Sequence, residues 1–110
     1  MARQVNAPIE TASAALLDAH HRRLAARVVQ SVSWASRVPK QDIRGRKRYR
    51  KAASARTAVY WVLRELGLSY PAIGRLMRRD HATVIWGVRS FEGALVTEQP
   101  WAHEILQGLR

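Results

Sequence analysis

The chain has 110 residues, enough for one compact domain and too few for a second sizeable core. Hydrophobic residues make up 47% of the chain, which excludes disorder throughout, and the lack of cysteine excludes disulfides and thiolate metal sites. Nineteen Lys and Arg against eight Asp and Glu give a formal net charge of +11, which favours nucleic acid as partner over a membrane surface.

The first predicted helix begins at Thr11 or Ser13 and ends near Trp34. We expect residues 1–10 to form a flexible tail before a single domain of residues 11–110, because the tail has no hydrophobic periodicity. Apolar residues spaced seven, four and four apart predict one buried face of this helix: Leu17, Leu24, Val28 and Val32.

The start of the chain contains no long apolar segment. Its longest apolar run there, residues 14–17, is too short for a signal-peptide core or a membrane span. We therefore expect a cytoplasmic protein that does not interact with a membrane.

A strongly basic segment follows a short predicted helical turn over residues 39–43. Six of the eight residues at 44–51 are cationic, and such a run repels itself unless phosphate lies beside it. We predict that these side chains contact the DNA backbone; the alternative is a solvated basic loop without a partner. The cations are Arg44, Arg46, Lys47, Arg48, Arg50 and Lys51.

The clearest predicted helix covers residues 52–66 and ends at Gly67, where a left-handed C-cap belongs. Its outward faces carry Arg56, Thr57, Tyr60 and Arg64. Its inward positions follow the helical period: Ala55, Ala58, Val59, Val62, Leu63 and Leu66.

Two shorter helices complete a helix-turn-helix pattern. Ser69 is predicted to cap a helix that runs through Met77, and Asp80 to cap a helix from residue 82 to about 95. In a helix-turn-helix the N-terminal residues of the second helix enter the major groove. A last helix, capped by Thr97, is expected to pack on the core, so the predicted fold class is all-α.

The first turn of the second helix carries groups that can read bases. Asp80 can accept a hydrogen bond from cytosine N4, His81 can bond a base edge, and the Thr83 methyl can contact a thymine methyl. The alternative is that Asp80 only caps the helix and His81 is simply exposed. We favour base readout for the cluster, while capping and contact are compatible for Asp80 itself.

These segments resemble a known family. From about residue 28 to 91 the sequence is similar to the C-terminal DNA-binding domain of the bacterial replication initiator DnaA. The resemblance is carried by the Arg-Asp-His-Ala-Thr-Val run at 79–84, the Ser-x-x-x-Ile-Gly run at 69–74, and the basic stretch at 44–51 with the helix after it. Ala82 stands where the family has a hydroxyl residue.

The resemblance implies roles for individual residues. Arg56 matches an arginine that enters the minor groove, and the major-groove readers match Arg79, Asp80, His81 and Thr83. Backbone contacts are implied for the six cations of residues 44–51 and, beside them, for Thr57, Ser69 and Arg78. The chain has no GxxxxGK motif, so we do not expect the ATPase activity of an initiator.

The resulting function hypothesis is a sequence-specific regulator of transcription that binds double-stranded DNA in the nucleoid. A partner transcription factor or RNA polymerase is a candidate second partner, as for an activator of a phage-like or gene-transfer-agent operon. The alternatives are a replication modulator that binds DnaA boxes, and a nonspecific nucleoid or RNA-binding protein that reads charge alone.

An enzyme is the weakest hypothesis. The sequence offers no paired acids, no nucleophile with a base and no metal-ligand spacing, so we expect no small-molecule substrate, no cofactor and no metal. Trp61 and Trp86 could stack on unpaired bases, but packing between helices is the commoner fate of tryptophan and is the interpretation we favour.

Overall fold

The computed structural model describes the backbone of residues 2–110 and the side chains of residues 12–110. This part of the chain forms six helices and no strand, which confirms the all-α fold class. The helices are α1 (Ala2–Ser36), α2 (Lys40–Arg44), α3 (Arg50–Glu65), α4 (Tyr70–Met77), α5 (His81–Val96) and α6 (Pro100–Gly108).

The long helix α1 differs from its prediction at its start. It begins at Ala2, so the predicted start at Thr11 or Ser13 is wrong. The lack of apolar periodicity in the first residues means that this segment has no face to bury, and it does not by itself prevent a helix. The division into a flexible tail and a domain of residues 11–110 stays a prediction.

Among the side chains of α1 that the structure describes, those that pack in the core lie in its second half. Ala25, Val29 and Val32 are buried there, whereas Leu17 is 56% exposed, so its place in the predicted buried stripe is wrong. Leu17 lies on the part of the helix that precedes the first buried residue, where no other element covers it.

Helix α3 lies at the centre of the core. Ala55, Ala58, Val59 and Leu63 are fully buried, as the period predicted. Leu66 is 52% exposed because the helix ends at Glu65, so the prediction that Leu66 faces inward is wrong. Gly67 has the predicted left-handed conformation, with φ of 97°. Tyr60, predicted to face outward, is 3% exposed because α5 packs over it.

A cluster of aromatic rings joins α3, α5 and α6. The ring centroid of Phe91 lies 5.2 Å from that of Trp61 and 5.8 Å from that of Trp101. Ile105 is buried in the same core, which confirms that the last helix packs back on the domain. Trp61 is thus a packing residue, as predicted.

The start of α6 was placed wrongly. Thr97 was predicted to cap it, but Thr97 is the C-cap of α5, where its hydroxyl donates to the Gly93 carbonyl at 2.8 Å. Gln99 is the N-cap of α6, and Pro100 opens the helix, where its missing amide hydrogen costs least. Among residues 2–110, no helix has the length and apolar character needed to cross a membrane.

Candidate nucleic-acid interface

Helices α4 and α5 form the predicted helix-turn-helix, joined by residues 78–80. Ser69 caps α4, because its hydroxyl oxygen accepts from the amide of Ala72 at 3.2 Å. Arg78, the C-cap of α4, adopts the left-handed conformation, with φ of 54°, and so ends the helix. The turn is closed by the Arg79 amide, which donates to the Gly74 carbonyl at 2.9 Å.

Gly74 is required by the closeness of this turn. A Cβ at position 74 would lie 2.5 Å from the carbonyl oxygen of Arg79, closer than real Cβ atoms approach. Because the clashing atom is backbone, relief would require the turn to move. The short turn and the glycine therefore fix together how α5 projects from α4.

Asp80 caps the second helix, as predicted. Its Oδ1 accepts from the amide of Thr83 at 2.8 Å. Hydrogen bonds from Thr83, first from its backbone amide and then from its side chain, lower the pKa of the Asp80 carboxyl. An ionised carboxylate accepts hydrogen bonds and donates none, so Asp80 can bond only to donor groups on bases.

The first turn of α5 is open to solvent. His81, Ala82 and Thr83 are all exposed, whereas Val84 is fully buried and anchors the turn to the core. The side chains predicted to read bases therefore stand on the free side of the helix end that enters the groove in this motif. Arg78 is also exposed and lies at the same end.

The predicted basic segment starts at the last residue of α2, crosses the loop of residues 45–49, called the basic loop below, and continues into the first turn of α3. All six of its cationic side chains, on residues 44 to 51, are exposed, so they are free to meet phosphates. Tyr49, at the end of the loop, is tied back to α2, because its hydroxyl donates to Asp42 Oδ2 at 2.6 Å. This hydrogen bond also raises the pKa of the Tyr49 hydroxyl.

Arg56 is engaged with this loop. Its Nε donates to the Ile43 carbonyl at 2.9 Å, and its Nη2 donates to the Asp42 carbonyl at 2.7 Å and to the Lys47 carbonyl. The side chain is half-buried. The residue predicted to enter the minor groove therefore also fixes the backbone of the basic loop.

Arg79 reaches the same loop from the helix-turn-helix. Its Nη2 donates to the Gly45 carbonyl, and its Nη1 donates to the Met77 carbonyl at 3.2 Å. The two guanidinium groups are near enough to influence each other: partial burial, and then the charge of Arg79, lower the pKa of Arg56. The structure thus joins the loop, α3 and the turn before α5 into one surface.

Of the two other hydroxyl residues predicted to contact the DNA backbone, Thr57 is buried and Ser69 is exposed. Thr57 is 5% exposed and its hydroxyl donates to the Ser54 carbonyl at 2.7 Å, so it is not presented to a phosphate. Ser69 is exposed; its Oγ accepts the capping bond from the Ala72 amide and its hydroxyl can still donate, so its backbone contact stays a prediction.

Sequence reasoning missed two features of this surface. The contact of Tyr49 with Asp42 was not foreseen, although an aromatic hydroxyl within a basic run was a possible signal for a partner acid. Trp86, predicted to pack between helices, is 67% exposed, and that prediction is wrong. The helical period alone could have identified it, because Trp86 lies opposite the buried Val84 and Val88.

The arrangement is suited to a double helix. An exposed helix start with an acceptor, an imidazole and a hydroxyl stands beside an exposed basic segment with six cations, at residues 44–51. Base contacts specify a site and phosphate contacts position the protein on it, and these residues provide both kinds of group.

The family comparison agrees with this geometry. Residues 25–90 match the model of the bacterial DnaA protein helix-turn-helix, and this span is more than half of the chain. It contains α2 to α4, the basic loop and most of α5. A search of curated proteins gives no match. The family is a DNA-binding helix-turn-helix and not an enzyme fold. The chain belongs to the family of bacterial DnaA helix-turn-helix domains and is a binder of double-stranded DNA.

Proposed function

We propose that the protein recognises a specific DNA sequence and regulates transcription from it in the bacterial nucleoid. The observation that carries the proposal is the exposed first turn of α5, where Asp80, His81 and Thr83 stand clear of the core. Asp80 also caps α5, but a neutral Ser or Asn would cap the helix as well, and a protein that read charge alone would gain nothing from a carboxylate that repels phosphate. Arg79 and Arg56 border the same surface and join in the readout.

Backbone contacts come from the basic loop. The exposed cations Arg46, Lys47 and Arg48 lie in the loop that Arg56 and Arg79 hold in place. Arg44, Arg50, Lys51 and Arg78 extend the positive surface on either side. Neutralised phosphates release counterions, so this part of the affinity falls steeply with salt.

Regulation also needs a surface outside the DNA interface. Residues 12–18 of α1 offer one, since Leu16 and Leu17 are 70% and 56% exposed there. We assign contacts with a partner transcription factor or RNA polymerase to this side of the protein, in keeping with an activator that works with a second protein.

The test is fluorescence anisotropy with the purified protein at several salt concentrations. Three labelled probes are used: a duplex with a DnaA box, a scrambled duplex of equal composition, and single-stranded RNA. Preference for the box, or for a duplex selected from random DNA, supports the proposal. The proposal would be contradicted if the three probes were bound equally and selection from random DNA also yielded no preferred duplex. Genome-wide occupancy at promoters, rather than at origin boxes, then supports regulation of transcription over modulation of replication.

A further inference from the structure

The outer face of α5 carries an apolar side chain that the readout described so far does not use. Trp86 is 67% exposed, while Trp61 and Trp101 pack against Phe91 in the core. Tryptophan carries a large apolar surface that proteins usually bury. Trp34 is exposed too, on α1, so exposure alone assigns no role; Trp86 differs because it lies on the helix whose first turn is proposed to read bases.

Trp86 extends the face that begins at Ala82. The two residues are four positions apart, and both are exposed, so they lie one above the other on the outer side of α5. Four residues of helix span about 6 Å, and base pairs are stacked about 3.4 Å apart. A helix seated by its first turn in the major groove therefore brings Trp86 within reach of bases about two steps from those that Ala82 meets.

The chemistry of the pair selects its ligand. A methyl group and an indole offer apolar contact, and the apolar group on base edges in the major groove is the C5-methyl of thymine. We propose that Ala82 and Trp86 form an apolar strip that recognises thymine methyl groups, with Trp86 as a specificity-determining residue. The inference rests on the proposed function, because it requires α5 to lie in the major groove.

The flanking charges fit this placement. Arg89 lies three residues beyond Trp86, is exposed, and can reach a phosphate at the edge of the groove. His81 and Thr83 provide polar contacts at the other end of the strip. The outer face of α5 thus places its apolar residues between polar ones. This order matches the major groove, where base edges lie between two rows of phosphates.

Uracil replacement tests the methyl contact directly. The preferred duplex is first selected from random DNA with the unmodified protein, and each thymine in it is then replaced in turn by deoxyuridine. We expect replacement at one or two positions to weaken binding about fourfold each, the value of one buried methyl group. In Trp86→Ala at least one of these positions should become indifferent to the methyl group, with about tenfold weaker binding to the unmodified duplex.

Trp34→Ala is the matched control. Trp34 is 83% exposed on α1, so this variant also removes an exposed indole but leaves α5 intact. It should keep the uracil profile and the affinity of the unmodified protein. Thermal melting followed by circular dichroism checks that both variants fold, which their exposure leads us to expect.

Several outcomes would overturn the inference alone. These are an unchanged uracil profile in Trp86→Ala, an equal loss on the preferred and scrambled duplexes, and unchanged DNA binding with loss of a protein partner. Tighter binding to single strands than to the duplex, lost in Trp86→Ala, would assign the indole to base stacking instead. If selection yielded no preferred duplex, the proposed function would fail as well, and so the two failures are distinguishable.

Discussion

Replacing Arg56 separates its two roles. As a minor-groove residue it would matter only on DNA, whereas the structure gives it three carbonyl partners in the free protein. Arg56→Ala is therefore expected to destabilise the free domain and to loosen the basic loop. The predicted effect does not depend on any DNA being present.

The magnitude follows from the hydrogen bonds. The bonds to the Ile43 and Asp42 carbonyls are part-buried, and each is worth about 1 kcal/mol net of the water that replaces it. The bond to the Lys47 carbonyl is exposed, and water replaces it at little cost. Arg56→Ala should thus lower the free energy of unfolding by about 2 kcal/mol, which in a domain of this size lowers Tm by roughly 8 °C.

The assay is urea unfolding, followed by circular dichroism, together with amide hydrogen exchange of residues 42–49. Arg48→Ala is the control, because Arg48 is an exposed cation of the same loop. It should leave stability within about 0.5 kcal/mol of the unmodified protein. Arg56→Lys should recover only part of the stability, because an ammonium group lacks the planar fork that reaches several carbonyls at once.

Unchanged stability and unchanged loop exchange in Arg56→Ala would refute this reasoning. In that case, weaker DNA binding by Arg56→Ala would result from loss of the minor-groove contact alone. The variant would then also show relaxed preference at an A·T-rich edge of the site. Loss of stability with unchanged preference would instead leave Arg56 as a residue that holds the loop.

Further predictions use paired variants. Gly87→Ala puts a Cβ 2.5 Å from a buried tyrosine ring and should lower the free energy of unfolding by about 1–3 kcal/mol in urea, whereas Gly93→Ala, with nothing within 4 Å, should raise it by up to about 1 kcal/mol. Asp80→Asn keeps a capping oxygen and should preserve stability while anisotropy finds relaxed base preference; Asp80→Ala should lose both. Folding lowers the pKa of Asp80, so its ionised carboxylate adds to the free energy of unfolding above the ordinary Asp pKa. This stabilisation is lost as the pH falls through the folded pKa, and urea unfolding of Asp80→Asn should lack that acid-dependent loss. Arg48→Gln with Arg50→Gln should weaken binding to every duplex and lower the salt slope by about one for each lost phosphate contact; altered sequence preference would contradict their role.

Features set by neighbouring residues could be predicted from the sequence. The caps at Ser69 and Asp80 and the left-handed Gly67 depend on backbone groups within three residues, and all three are found in the structure. Thr97 shows the limit of such signals. A threonine shortly before a helix is typical of an N-cap, but Thr97 is the C-cap of α5, and Gln99 is the N-cap of α6.

Features set by distant contacts could not be predicted in the same way. The periodic apolar stripe in α1 includes Leu17, but burial depends on where the other helices pack against α1. The first buried residue of that helix is Ala25, eight positions after Leu17. The partners of Arg56 lie 9 to 14 residues away, two of them on α2 and one in the loop that follows it. No local pattern distinguishes such an arginine from one that is free to reach DNA.

The same contacts decide which substitutions report on readout alone. Because Arg56 and Arg79 bond to carbonyls of the basic loop, changing either one also moves the loop cations that are proposed to meet phosphates. Their loss is thus expected to lower affinity on every duplex as well as preference for one. His81 and Thr83 have no such tie to the loop among the contacts of the described residues. Replacing His81 or Thr83 by alanine should therefore change sequence preference while the salt slope stays constant. Such a result separates base reading from the placement of the loop.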